Sequence, residues 1–210
     1  MHTHTNLIKL GVTITLFFGV MDAPDAQKRK DGVISVAITN RHTAMPFGKL
    51  ASLAGTPLHP GVEFSYGFNW RTKKKHDWFQ VFSAGYYQHR FVQHGLPLYS
   101  SFGYRYKFSS RIYSEASVGL GYLHSVPAAA KFRLGSDGTY HNGKGIGTAQ
   151  FMAAFNLGAG YRLGSGKHAL FATWQQQVQA PYVRSYVPVL PYNVLMLGIK
   201  TSIRPRAKTG

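Results

Sequence analysis

Residues 61–71 read GVEFSYGFNWR. The even positions, Val62, Phe64, Tyr66, Phe68 and Trp70, are all aliphatic or aromatic. The odd positions, Glu63, Ser65, Gly67, Asn69 and Arg71, are small or polar. Successive side chains of a strand point to opposite faces, so this alternation predicts a β-strand with one greasy side and one polar side.

The pattern recurs along the chain. In Leu98 to Phe108 the greasy set is Leu98, Phe102, Tyr104, Tyr106 and Phe108, opposite Tyr99, Ser101, Gly103, Arg105 and Lys107. Phe151 to Leu163 sets Phe151, Ala153, Phe155, Leu157, Ala159, Tyr161 and Leu163 against Met152, Ala154, Asn156, Gly158, Gly160 and Arg162. Ile112 to Leu123 alternates more softly, with Val118, Leu120 and Tyr122 opposite Glu115, Ser117, Gly119 and Gly121. Val33 to Asn40, Trp78 to Phe91, Leu170 to Gln179 and Asn193 to Ile203 complete eight candidates, and Trp78 to Phe91 leaves open which face is apolar. Segments of about 9 to 12 residues suit tilted membrane strands better than the usual 5 to 6 of soluble sheets. The polar face decides between a membrane barrel and a soluble one. A solvated exterior fills with Lys and Glu, whereas this face is mostly Gly, Ser, Asn and Ala with isolated charges, the lining of a lumen. Aromatic residues toward strand ends, Phe68, Trp70, Trp78, Tyr104, Tyr106, Tyr161 and Tyr192, fit interfacial girdles.

Composition agrees. Of 210 residues only 15% are charged, against about 25% in typical soluble domains, while aromatics reach 14%. One domain is expected at this length. The formal net charge of +17 suggests nucleic acid at first sight. The basic residues, however, are scattered through turns, loops and tails, at Lys28 to Lys30, Lys73 to Lys75, Lys131, Arg133, Lys144, Lys167, Arg204 and Arg206. An anionic membrane surface fits that scatter, and no nucleic-acid partner is expected. There is no Cys, which removes disulfides, thiolate metal sites and Cys nucleophiles. Residues 1–26 place Lys9 before an apolar run from Leu10 to Val20, the length of a signal-peptide core and too short for a spanning helix. Cleavage is expected at Ala26-Gln27 or near Ala23. The domains read as a cleaved signal peptide over 1–26, an outer-membrane barrel over 27–203 and a short basic tail over 204–210.

Outer-membrane barrels alternate short periplasmic turns with longer external loops. Here Thr43 to His59 is long, Thr72 to Asp77 short, Ser109 to Arg111 very short, His124 to Ala149 longest, Gly164 to His168 short and Ala180 to Pro191 longer; only Gln93 to Pro97 breaks the alternation. An even strand count closes the sheet and leaves no backbone edge in lipid, although eight and ten strands both remain open. With its signal peptide, alternating Gly- and aromatic-rich strands and loop parity, residues 32 to 203 resemble the small outer-membrane β-barrel families typified by the OmpA and OmpX transmembrane domains. The resemblance implies an all-β, eight-stranded, antiparallel up-and-down transmembrane β-barrel of Gram-negative bacteria. It also implies residence in the outer membrane among its lipids and insertion by the barrel-assembly machinery, and the chain reads as a monomeric or weakly associated barrel. The chain departs from that pattern in adding RPRAKTG after its last strand, where those families commonly end on an aromatic residue.

An eight-stranded barrel is just wide enough to be filled by side chains, so the expected lumen is a plugged polar core, with a binding or envelope-structural role left to the external loops. Glu63 and Glu115 fall on inward faces and are expected to pair with Arg71, Arg105, Lys107 and Arg162 in a lumenal ion network. Lys131, Arg133, Lys144 and Arg184 are available to lipopolysaccharide phosphates. The alternative is a lipid A acyl hydrolase with its active site at the outer rim. Lipid A deacylases, which are barrels of this size, imply a His-x-Ser pair with an acidic orienter. The nearest feature, His124-Ser125, is off by one, so its two side chains point to opposite faces. His89, His94, His124 and His141 lie near external strand ends without metal-ligand spacing, and neither metal nor cofactor is expected. Gly143 to Gly147 reads as a flexible external loop, not a phosphate loop. Pro181 to Pro191 is apolar for an exposed loop and suits a fold over the barrel mouth or a lipid head group.

Overall fold

The computed structural model describes residues 32–43, 58–90, 92–128, 131–134, 138–143, 147–164, 166–182 and 188–203. The expected signal peptide and basic tail lie outside the described residues. Among the described residues ten strands follow in order: β1 Gly32–Thr43, β2 Pro60–Thr72, β3 His76–His89, β4 Gln93–Lys107, β5 Ile112–Pro127, β6 Lys131–Leu134, β7 Tyr140–Gly143, β8 Thr148–Leu163, β9 His168–Ala180 and β10 Leu190–Ile203. Eight of them close an antiparallel barrel in the order β1-β10-β9-β8-β5-β4-β3-β2, and β6 and β7 form a separate two-stranded hairpin. The barrel therefore has eight strands and not ten, and β6 and β7 fall in the longest connection, outside its wall.

Each barrel strand pairs with its neighbour in the chain, and β1 pairs with β10 from Gly32↔Ile203 to Thr43↔Tyr192 to shut the cylinder. The register fixes the tilt. From Tyr87, paired residues lead through Gly95 and Ser125 to Thr148 on β8. In the other direction they lead through Gly61, Thr39, Met196 and Thr173 to Gly158 on the same strand. That stagger of ten residues over eight strands requires strands tilted roughly 35–45°. Residues 73–75, 108–111 and 164–167 connect strands at the end that holds both strand termini, Gly32 and Ile203, and the long connections gather at the other end.

Two boundaries differ from expectation for local reasons. Residues 93–97 belong to β4, so the β3–β4 connection is only residues 90–92. Pro97 inside β4 masks that continuity in the sequence: it has no N–H, and the pairing passes from Ala84↔Leu98 to Tyr87↔Gly95 without a change of register. In β2 a bulge falls between Asn69 and Arg71, so that Arg71 sits opposite Trp78. One extra residue reverses the alternation beyond it, and Arg71 is exposed at the strand end instead of lining the lumen.

The wall is apolar outside and polar inside. Ile38, Val118 and Leu120 are 66%, 61% and 62% exposed, while Glu63, Asp77, Gln93, Gln175, Gln177 and Gln179 are buried. Toward the end with the short turns the outer face carries Trp70, Trp78, Phe108 and Tyr161, all exposed. Tyr192 does not join them; it is fully buried and faces inward, a correction to the girdle read from sequence.

The lumenal glycines have a packing role. Tyr87 stands opposite Gly95, Tyr99 opposite Gly121 and Tyr113 opposite Gly160 on neighbouring strands. A Cβ on Gly95 would lie 2.2 Å from Tyr87 Cε1, and one on Gly160 would lie 2.1 Å from Tyr113 Cζ. The ring therefore occupies the volume the glycine leaves empty, and the narrow lumen is filled by such pairs. Gly160→Ala is expected to push Tyr113 aside and cost about 1–3 kcal/mol, read as a lower unfolding midpoint in denaturant. An unchanged midpoint would show that the ring moves freely.

Candidate functional site

Two places concentrate polar chemistry: the lumen and the loop-end rim. Near the short-turn end of the lumen, Arg105 Nε donates to Glu115 Oε1 at 2.6 Å and Lys200 Nζ donates to Glu115 Oε2. Arg105 also reaches Asp77 at 3.4 Å, and Lys107 Nζ donates to Asp77 Oδ1 at 2.7 Å. Alternation places all five on the inner face, since each sits at an inward position of β3, β4, β5 or β10. Two carboxylates thus hold three cations. The Arg105 guanidinium lies over the rings of Phe79 and Tyr113 at 5.1 and 5.3 Å, which fixes its plane.

The other residues expected in this network go elsewhere. Glu63 takes its hydrogen bond from the Tyr99 hydroxyl at 2.8 Å, and no ion pair holds it among the described residues. Arg162 donates to the Ser110 carbonyl at 3.3 Å and lies 5.6 Å from the Tyr113 ring centre. Arg71 is exposed beyond the β2 bulge. Asp77 and Lys200 are the members that sequence reasoning missed. Asp77 had been read as part of a turn, and Lys200 lies on the inward parity of β10, which was the signal available.

Above the ion network lies a cavity of about 90 Å³ lined by Ser35, Ser65, Ser83, Ser101 and Ser117 among others, room for a few water molecules. Tyr99, Gln175, Asn156 and Ser117 then form a connected chain. Gln175 Nε2 donates to the Tyr99 hydroxyl at 3.0 Å and to Asn156 Oδ1 at 2.9 Å, and Asn156 Nδ2 donates to Ser117 Oγ at 2.9 Å. Nearer the loops, Gln93 Nε2 donates to Tyr87 Oη at 2.7 Å and Gln179 Oε1 at 2.8 Å, and Arg41 Nη1 donates to Gln177 Oε1. The Arg41 guanidinium covers the Tyr87 ring at 4.2 Å. Tyr87, Gln175, Gln177, Gln179 and Tyr192 are all fully buried, so this layer fills the lumen.

At the rim, Ser125 is buried and its hydroxyl donates to Gln93 Oε1, whereas His124 is on the outer face with Nδ1 2.8 Å from the Tyr122 hydroxyl. The two side chains lie on opposite sides of β5 and do not converge. Tyr86 and His94 repeat the same outward pair, again at 2.8 Å. His89 stacks on His59 with ring centres 3.6 Å apart, and His42 meets His59 edge-on at 5.5 Å. Burial first, and then the nearby His42, hold the His59 pKa below its ordinary value. The folded chain therefore favours neutral His59. Its contribution to stability is present above about pH 6.5 and falls away as pH drops from there toward the lowered folded value. The His59 ring resonance is expected to titrate below that of a solvated histidine, and a midpoint at or above the ordinary value would contradict the burial argument.

Among the described residues no group of three His, Asp or Glu is placed to hold a metal ion. Lys131 and Arg133 lie on β6, paired with Gly143 and His141. Lys144 and Arg184 lie outside the described residues, as does most of the Gly143 to Gly147 segment and the centre of the Pro181 to Pro191 segment.

No protein-family model matches the chain. No curated protein matches it either. Among solved structures it is similar to Ail, the attachment invasion locus protein of Yersinia pestis, in complex with the heparin analogue sucrose octasulfate, at 11% identity and TM-score 0.44, over 83% of this chain and 99% of that one. It is similar to Neisserial surface protein A at 9% identity and TM-score 0.48, over 83% and 97%. It is also similar to the outer membrane enzyme PagL at 13% identity and TM-score 0.45, over 81% and 99%. The fold itself stands on the register of the eight paired strands.

Proposed function

We propose that this chain spans the outer membrane of a Gram-negative cell as a closed, filled cylinder, delivered by its N-terminal signal peptide, and that it serves the envelope through its external surface and not as a pore. The observation that carries the reading is the inverted distribution of polarity. Ile38, Leu120 and Val118 are exposed on the outside, and Arg105, Glu115, Lys200 and Gln175 are enclosed. A water-facing wall of this kind would present a far larger apolar patch than soluble monomers tolerate, whereas acyl chains accept it without cost. The filled lumen supports a binding or structural role over diffusion of solutes. The basic loop residues Lys131, Arg133, Lys144 and Arg184 belong to this proposal as contacts for lipopolysaccharide phosphates. The rim geometry of His124 and Ser125 gives the acyl-hydrolase alternative no support.

The test is fractionation followed by refolding. The native chain is expected in the outer-membrane fraction, and purified chain added to phospholipid vesicles is expected to run at different apparent sizes in unheated and heated detergent gels. A chain that stays monomeric in plain buffer would overturn the proposal.

A further inference from the structure

A groove of about 510 Å³ opens on the outer wall of β10, β1, β2 and β3 toward the loop end. Its apolar lining is Ile38, Leu58, Val62, Tyr86, Leu195 and Leu197, and Asn40 and Gln88 line it as well. The volume is that of a small-molecule site, about 300–1,000 Å³. Polarity changes along its length. Ile38, Val62 and Leu197 continue into the apolar belt, while Gln88, the penultimate residue of β3, faces His94, the second residue of β4, at the rim. Tyr86 belongs to both parts: its ring lines the groove and its hydroxyl holds His94 Nδ1 at 2.8 Å. Asn40 is fixed on the other side, accepting the His59 backbone N–H at 2.8 Å and lying 3.2 Å from His42 Nε2.

We propose that this groove binds one acyl chain of a phosphate-bearing membrane lipid whose head group lies against the Gln88–His94–His42 rim. The proposal rests on the reading of the barrel as a membrane protein. An amphiphile is the ligand that matches an apolar trough ending in hydrogen-bonding side chains at the edge of an apolar belt. In the tautomer whose Nδ1 accepts the Tyr86 hydroxyl, the His94 ring carries its N–H at Nε2, a donor for a phosphate oxygen. The chain's net charge of +17 favours the anionic lipids of the surrounding leaflet. The Tyr122–His124 pair on β5 has the same 2.8 Å contact and does not line the groove, which makes it an internal control.

The full chain is reconstituted in phosphatidylcholine nanodiscs doped with phosphatidylglycerol carrying a mid-chain diazirine, irradiated, and mapped by mass spectrometry. Adducts are expected to concentrate on Ile38, Val62 and Leu195 several-fold over Val118, Leu120 and Phe155 on the opposite wall. Filling the groove with Ile38→Trp and Val62→Trp should bring the two walls level while the barrel still shifts on heating. His94→Ala should lower adducts from the phosphatidylglycerol probe more than from the matching phosphatidylcholine probe, and Tyr122→Phe should leave both unchanged. Adducts spread evenly around a folded barrel would overturn the lipid site alone. Failure of the chain to enter the nanodisc as a folded barrel would instead overturn the membrane reading on which it rests.

Discussion

Glu115→Gln is expected to destabilise the barrel by about 3–5 kcal/mol, the usual penalty for removing one partner of a buried ion pair. Glu115 is clamped by Arg105 at 2.6 Å and by Lys200, and its side chain and that of Arg105 are each only 11% exposed. An amide accepts from one of these cations and offers no charge to either. Arg105 retains Asp77 at 3.4 Å, but that carboxylate already serves Lys107 at 2.7 Å. Three enclosed cations would then share the single carboxylate of Asp77, which leaves two positive charges uncompensated. Denaturant unfolding in lipid vesicles should show the loss, and the heat-dependent gel shift should occur at a lower temperature. Glu63→Gln is the matched comparison. Its carboxylate takes a hydrogen bond from Tyr99 at 2.8 Å without an ion pair among the described residues, so the amide should cost no more than about 1.5 kcal/mol. Equal losses for both variants would mean that the charge at Glu115 is not what holds this layer together.

The second large effect concerns the outer face. Val118 is 61% exposed and lies between Phe102 on β4 and Phe155 on β8. Val118→Arg should destabilise the barrel by about 2–4 kcal/mol if the wall faces hydrocarbon. The same substitution on a water-facing strand would fall within about 0.5 kcal/mol. The sign of the medium is therefore read from one residue, because the folded contacts of Val118 are the same in either case. Unfolding of Val118→Arg in vesicles at the wild-type midpoint would place that face in water.

Alternation made most of the wall legible. Gly61 to Trp70 appears in the structure with the faces its sequence implies, because period two admits no other arrangement once one side is buried. Trp78 to Phe91 was ambiguous for a reason that the lumen now supplies: Phe79 and Tyr87 are buried inside while Trp78, Phe82 and Tyr86 are exposed outside, so both faces are aromatic. A bulge has no signature in the residues around it, and Arg71 was placed inside for want of one. Three of the five network members, Arg105, Lys107 and Glu115, were visible from strand parity, and Arg105 and Glu115 sit directly opposite each other on adjacent strands. Lys200 was not, because its contact with Glu115 crosses the lumen between strands that are not neighbours, a distance that no local spacing encodes. The groove at the loop end was invisible in the same way, since its lining is drawn from β10, β1, β2 and β3.

The chain has no cysteine, so single cysteines placed one at a time from Val62 to Phe68 carry a spin label without background. Collision with oxygen, which concentrates in hydrocarbon, is compared in vesicles with collision by a water-soluble nickel chelate. Oxygen contact should peak at positions 62, 64, 66 and 68 and fall at 63, 65 and 67, with the nickel chelate excluded from the even set. A nickel chelate that reaches the even positions, or an oxygen profile with no two-residue period, would contradict a wall whose apolar side meets lipid.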